Sequence, residues 1–136
     1  MRVVIDTNVF ISSFFGSGPP RQIIDLWKTG QVTICLSQPI VDEYIRVLNR
    51  LGMKNEREID ELLNLFANGY YSLFTARTPD LKIVEEDPDD DKFFECAVAL
   101  NADCIISGDK KVLAVKKYIN IIVQNPSGFL IHFTSK

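Results

Sequence analysis

The chain has 136 residues, of which 46% are hydrophobic and 24% charged, with a formal net charge of -3. This composition suits one domain, spanning 1–136, with a sizeable core, and its acidic balance excludes a broad basic surface for duplex DNA. No apolar run reaches the ~18–20 residues of a membrane-spanning helix, so no membrane partner is expected.

An apolar strand that starts almost at Met1 leaves no room for the basic region, apolar region and cleavage site of a secretory signal, which predicts a cytoplasmic protein. Cys35, Cys96 and Cys104 are scattered through apolar surroundings without Cys-x-x-Cys spacing, and read as reduced core thiols.

Val3-Val4-Ile5 is a short apolar run that stops at Asp6-Thr7-Asn8. Val9, Phe10, Ile11, Phe14 and Phe15 then recur at helical spacing. This predicts a buried strand over Arg2 to Asp6 and a helix to about Phe15. Asp6 falls at the C-terminal end of that strand, where open parallel sheets bind ligands. Asp, Thr and Asn also cap helices, and the two readings are compatible if Thr7 caps while Asp6 faces a cleft.

Gly16 to Pro20 is a loop, with Pro20 in the first turn of the next helix. That helix carries Ile23, Ile24 and Trp27 and ends at Gly30. Val32 to Leu36 is β-branched and reads as the second strand. Ser37 opens a helix with Pro39 in its first turn and a core face of Ile40, Val41, Tyr44, Ile45, Leu48 and Leu51. A further amphipathic helix runs from Asn55 to about Asn68, with Ile59, Leu62, Leu63 and Phe66 inward.

Tyr70 to Thr75 reads as the third strand, and Leu81 to Val84 as another strand or an edge. An acidic loop, Glu85 to Asp91, leads into a helix over Lys92 to Asn101. Cys104 to Ser107 is a buried strand ending at Gly108-Asp109, and a basic helix over Lys110 to Lys117 follows. Asn120 to Val123 is the last strand, and Asn125-Pro126-Ser127 starts a final short helix bearing Phe129, Leu130 and Phe133. Strands alternate with helices almost throughout, which predicts an α/β domain with a mostly parallel sheet covered on both faces.

Carboxylates recur where strands end and helices begin. Asp6 ends the first strand, and Glu43 lies one and a half turns into the helix after the second. Asp89-Asp90-Asp91 opens the helix after the acidic loop, and Asp109 follows the strand Cys104 to Ser107. Each has an ordinary reading: Glu43 as a solvated helix residue, the triple Asp as a cap favouring the helix dipole, Asp109 as an N-cap behind Gly108. In a doubly wound sheet all of them fall at one edge, where like charges raise one another's pKa and a divalent cation resolves the repulsion. Hard oxygen ligands without His or Cys nearby point to Mg²⁺ or Mn²⁺ rather than zinc. His132, the single histidine, sits among Leu130, Ile131 and Phe133 and reads as a packing or surface residue. Lys110, Lys111, Lys116 and Lys117 offer a basic rim or, more simply, a solvated face.

The stretches Val4 to Val9, Ser37 to Leu48 around Asp42-Glu43, Asp87 to Phe94 with Ala97, and Ala102 to Asp109 together resemble PIN-domain proteins of the VapC-type toxin kind. The resemblance covers nearly the whole chain and implies a three-layer α/β/α sandwich around a central parallel sheet. Asp6 matches the family's first aspartate and Asn8 the asparagine that orients it. Glu43 matches the helix glutamate, and Asp109 the fourth acid with Ser107 before it. Asp90 matches the third acid by its spacing to Phe93, Phe94 and Ala97, and Asp91 is a rival because adjacent aspartates blur the register.

The resemblance implies a metal-dependent ribonuclease in which Asp6, Glu43, Asp90 and Asp109 hold Mg²⁺ or Mn²⁺ and activate water against an RNA phosphodiester, leaving a 5′-phosphate and a 3′-hydroxyl. It also implies an antitoxin partner and a homodimer. Two other readings compete. One is an aspartyl-phosphate phosphatase using Asp6 as nucleophile, against which Asn8 stands where a second aspartate is needed. The other is a PIN-fold module that binds without cleaving.

Overall fold

The computed structural model describes residues 1–52 and 56–134, without the side chains of residues 56, 58, 59, 61 and 62. The strands are β1 (Arg2–Ile5), β2 (Thr33–Ser37), β3 (Ser72–Thr75), β4 (Cys104–Ile106), β5 (Lys117–Tyr118) and β6 (Ile121–Gln124). They form one sheet in the order β3-β2-β1-β4-β6-β5. All pairings are parallel except β5 with β6. The helices are α1 (Thr7–Ser12), α2 (Pro19–Lys28), α3 (Gln38–Arg50), α4 (Glu56–Ala67), α5 (Asp91–Ala99), α6 (Lys110–Leu113) and α7 (Pro126–Thr134).

Successive strand residues face opposite sides of a sheet. Val3, Val4 and Ile5 in β1 and Ile105 and Ile106 in β4 are all fully buried, so helices cover both faces at the centre. This is the expected PIN-like α/β sandwich. The chain passes from β1 outward to β2 and β3, then crosses back to β4 on the other side of β1. The order therefore reverses between β1 and β4, and Asp6 and Asp109 each follow one of these strands at this switch point.

Aromatic packing fixes how α1 and α3 meet. Phe10 stacks on Tyr44 with ring centroids 4.1 Å apart, and the buried Tyr44 hydroxyl donates to the Ile5 carbonyl at the end of β1. Tyr44 thus pins α3 against β1, which presents the preceding residue, Glu43, beside the strand end. Gly30, at φ +80°, leaves the space that a Cβ would need to the Tyr71 ring, which approaches that point to 2.7 Å.

Some sequence expectations are corrected. Leu81 to Val84 forms no strand. Its N–H groups turn instead to side chains, Leu81 N to Glu95 Oε2 at 2.9 Å and Val84 N to Asp91 Oδ1 at 2.8 Å. The basic helix stops at Leu113, and Lys117–Tyr118 pairs antiparallel with β6, because an available sheet edge overrides local helical pattern. Ile45 on α3, Leu51 at its C-cap and Leu63 on α4 are exposed rather than core residues. The expected helix start at Asn55, and the inward placement of Ile59 and Leu62, lie outside the described residues.

Candidate metal centre

Asp6 leaves β1 with only 4% of its surface exposed. Its Oδ1 accepts from Val9 N at 2.9 Å, so Asp6 itself, not Thr7, is the N-cap of α1. Its Oδ2 accepts from the Ser107 hydroxyl. Burial pushes its carboxyl upward, against the hydrogen bonds from Ser107, Val9 and Gly108 and with a further push from Asp109. Capping and the cleft-edge role therefore fall on one side chain. Asn8 lines the same cleft, but among the described residues it makes no hydrogen bond to Asp6; Ser107 and the Val9 N–H orient that carboxylate instead.

Asp109 enters from the neighbouring strand. Its Oδ1 accepts from Lys111 N at 2.7 Å, capping α6, and its own N–H donates to Ser107 Oγ at 3.0 Å. The fully buried Ser107 thus links the acids that follow β1 and β4.

The acidic run is sorted by a 3₁₀ turn over Pro88–Asp90 that precedes α5. Asp91 turns away from the cleft, its Oδ1 accepting from Ile83 N at 3.1 Å and Val84 N at 2.8 Å. Asp90 turns toward Asp109. Carboxylate oxygens of Asp87, Asp90 and Asp109 lie within 4.8 Å of one another. Asp90 Oδ2 is buried with no hydrogen-bond partner, and burial, with Asp87 and Asp109 adding to it, raises the Asp90 carboxyl to about 7. The sequence pattern does not mark Asp87 as a site residue. It sits before a proline, outside the helix, so helical periodicity carries no signal for it.

Glu43 faces the same cleft, a space of about 120 Å³ lined by Asp6, Asn8, Glu43, Arg50, Asp90 and Asp109 among others. It is held by protein donors rather than grouped with the aspartates. Thr7 Oγ1 donates to its Oε2 at 2.5 Å and Lys92 Nζ approaches the same oxygen at 3.1 Å. Arg46 lies 3.6 Å from Oε1.

The donor set fits a divalent metal ion. It consists of hard carboxylate oxygens, it holds anions against one another at the cost of a raised pKa, and it leaves a buried oxygen without a donor, which in a folded protein calls for a missing partner. No thiol competes: Cys35, Cys96 and Cys104 are free and buried, and burial pushes them up to about 11, 12 and 12 respectively, so they are inert core residues. Among the described residues no helix is long and apolar enough to cross a membrane.

A family model described as PIN domain matches residues 2–111, the span that carries Asp6, Glu43, Asp87, Asp90 and Asp109. Uncharacterized protein MJ1680 of Methanocaldococcus jannaschii is 32% identical over 147 aligned residues, which cover 98% of this chain and 92% of that protein. Sheet order, the edge at which the acids gather and the extent of these matches agree, and the chain belongs to the PIN-domain family, whose fold is that of nucleases.

Proposed function

We propose that the protein is a metal-dependent ribonuclease, acting through Mg²⁺ or Mn²⁺, with RNA as its substrate. The observation that carries this reading is the convergence of Asp87, Asp90 and Asp109 within 4.8 Å beside Asp6, with one buried Asp90 oxygen unpartnered. Asp6, Asp90 and Asp109, with Asp87 added, would hold the cation, and Glu43 would complete or border the site. A divalent ion there supplies Lewis-acid polarisation of a phosphodiester and lowers the pKa of an attacking water.

The protein's own part is positional. Ser107 and the α1 N-terminus fix Asp6, the 3₁₀ turn aims Asp90, and the α6 cap fixes Asp109. Arg50 lines the cleft, so a cation borders the acidic floor and can take a backbone phosphate without reading sequence.

The test is incubation of mixed RNAs with the protein and Mn²⁺ or Mg²⁺, with a chelator control, followed by mapping of the cut ends. Metal-dependent products with 5′-phosphates support the reading; intact RNA at saturating metal leaves the binding-module alternative. The phosphatase alternative is disfavoured because Asn8 stands where a second aspartate is needed. Within the ribonuclease reading we assign the protein, by its family resemblance, to the toxins of toxin–antitoxin pairs, acting in the cytoplasm as a homodimer. Failure of a neighbouring gene product to co-purify with it or relieve its toxicity counts against that assignment.

A further inference from the structure

Lys92 is 8% exposed, and a lysine is almost never buried so deeply unless paired. Its ammonium has three protons to donate; two hydrogen bonds go to Asp89 O and Asp89 Oδ2, each at 2.9 Å, and Glu43 Oε2 is its ion-pair partner at 3.1 Å. The Asp89 contacts are local, within the turn that opens α5, and the Asp89 side chain is 72% exposed. The Glu43 contact is tertiary and ties α3 to the turn that aims Asp90. Stability alone explains this arrangement poorly. A buried ion pair gains little over an apolar residue of similar volume, whereas it is well suited to fixing a carboxylate in place with its charge balanced.

We propose that Lys92 is a positioning residue for the metal centre. Resting on the ribonuclease reading above, it holds Glu43 Oε2, together with Thr7, so that Glu43 meets the cluster through Oε1 and at a set distance from the Pro88–Asp90 turn. Glu43 and Asp90 then form one unit clamped from behind by the ammonium. This leaves Glu43 Oε1, with the exposed Arg46 3.6 Å away, as the oxygen that meets the cluster, whereas Asp90 Oδ2 has no donor at all.

Charge and geometry make opposite predictions for Lys92→Met. Removing a cation makes the site more negative, so charge alone tightens Mn²⁺ binding. Loss of positioning weakens it, by about 10–100-fold as for other residues that orient metal ligands. Metal-free wild type, K92M, K92R, E43Q and K92M/E43Q are titrated with Mn²⁺ by calorimetry, with melting curves in parallel. The proposal expects weaker binding in K92M, partial recovery in K92R, and a double variant no worse than E43Q, since Lys92 acts through Glu43. K92M that melts lower yet binds Mn²⁺ as tightly as wild type, or tighter, overturns it. If K92M does not fold, unchanged Mn²⁺ affinity in E43Q overturns it as well. Wild type that takes up no Mn²⁺ removes the metal centre itself, an outcome distinct from failure of Lys92 alone.

Discussion

The two ends of the sheet treat aspartate in opposite ways. At the N-terminal end of β4, Asp103 Oδ2 accepts from Arg2 N at 2.8 Å, and its own N–H donates to Arg2 O at 2.8 Å. It is exposed and paired with a donor of the neighbouring strand. At the C-terminal end, Asp90 and Asp109 face each other and Asp87, and the Asp90 carboxyl is pushed up to about 7. One end uses a carboxylate to fasten two neighbouring strands. The other gathers carboxylates that only a cation would satisfy, and so stores a cost that function, not folding, accounts for.

The largest effect expected from this contrast is on cleavage. Asp6→Asn or Asp109→Asn should remove metal-assisted stabilisation worth several kcal/mol, lowering turnover by about a thousandfold or more. The fold should stay intact, because asparagine keeps an acceptor for the capping N–H groups of α1 and α6. Asp103→Ala should do the reverse, leaving turnover unchanged while costing about 1 kcal/mol of stability for the lost Arg2 bond. RNA cleavage and melting curves for the three variants check both halves. Wild-type turnover in either cleft variant would return Asp6 or Asp109 to a capping role.

The second effect is a pH dependence with a definite sign. The Asp90 carboxyl rises from 3.8 to about 7 on folding. A raised carboxyl favours the folded state fully below the unfolded pKa, and that contribution is lost as pH rises through about 7. The metal-free protein should therefore lose melting temperature between about pH 4 and 7 relative to Asp90→Asn, in which the group no longer titrates. Mn²⁺ acts the other way. It competes with the same protons and stabilises by about 2.7 kcal/mol at a hundredfold excess over Kd, so the gap between loaded and metal-free melting should widen as pH rises. A gap that survives in Asp6→Asn would place the ion elsewhere.

The adjacent acids give a smaller effect. Asp91→Ala strands the N–H groups of Ile83 and Val84, which should cost about 1–3 kcal/mol while sparing Mn²⁺ binding; Asp90→Asn should spare stability at neutral pH and lose the metal. Calorimetric titration of both variants separates them, and Mn²⁺ loss in Asp91→Ala at retained fold would reverse the assignment.

That pair also marks how far the sequence was legible. β1 and β4 are readable because a central parallel strand is a continuous apolar run, and Asp6 and Asp109 are readable because each lies just past the end of such a run. Helical spacing to Phe93 and Phe94 favoured Asp90 over Asp91 but could not separate them, since the separation depends on a 3₁₀ turn started by Pro88. Asp87 had no periodic signal at all. Leu81 to Val84 has the composition of a strand, yet its donors are claimed by Asp91 and Glu95, carboxylates whose reach only the folded chain reveals. Lys117 reads as the end of the basic helix and instead, with Tyr118, becomes strand because β6 offers an open edge. Lys92 was hidden for a similar reason: its partner Glu43 is remote in sequence, and an isolated lysine in a helix reads as a solvated charge.

The smallest effect returns to the N-terminal end of the sheet, which holds strain rather than repelling charge. Ile119 and Asn120 connect β5 to β6 as a two-residue hairpin turn, and Ile119 sits at φ +55° while 67% exposed. Positive φ at the first central position is where such turns take glycine, and a β-branched residue there is costly, of the order of 1–3 kcal/mol. Exposure leaves little packing to repay it. Ile119→Gly should relieve that strain, offset by about 0.5–1 kcal/mol for the greater freedom of glycine in the unfolded chain, for a net gain near 1 kcal/mol. Turnover and Mn²⁺ affinity should not change, because the turn lies at the end of the sheet opposite the acids. A denaturant melt measures the first and the cleavage assay the second. A stabilised variant that cleaves poorly would mean that the two ends of the sheet are coupled, and that strain at one end helps hold the geometry of the other.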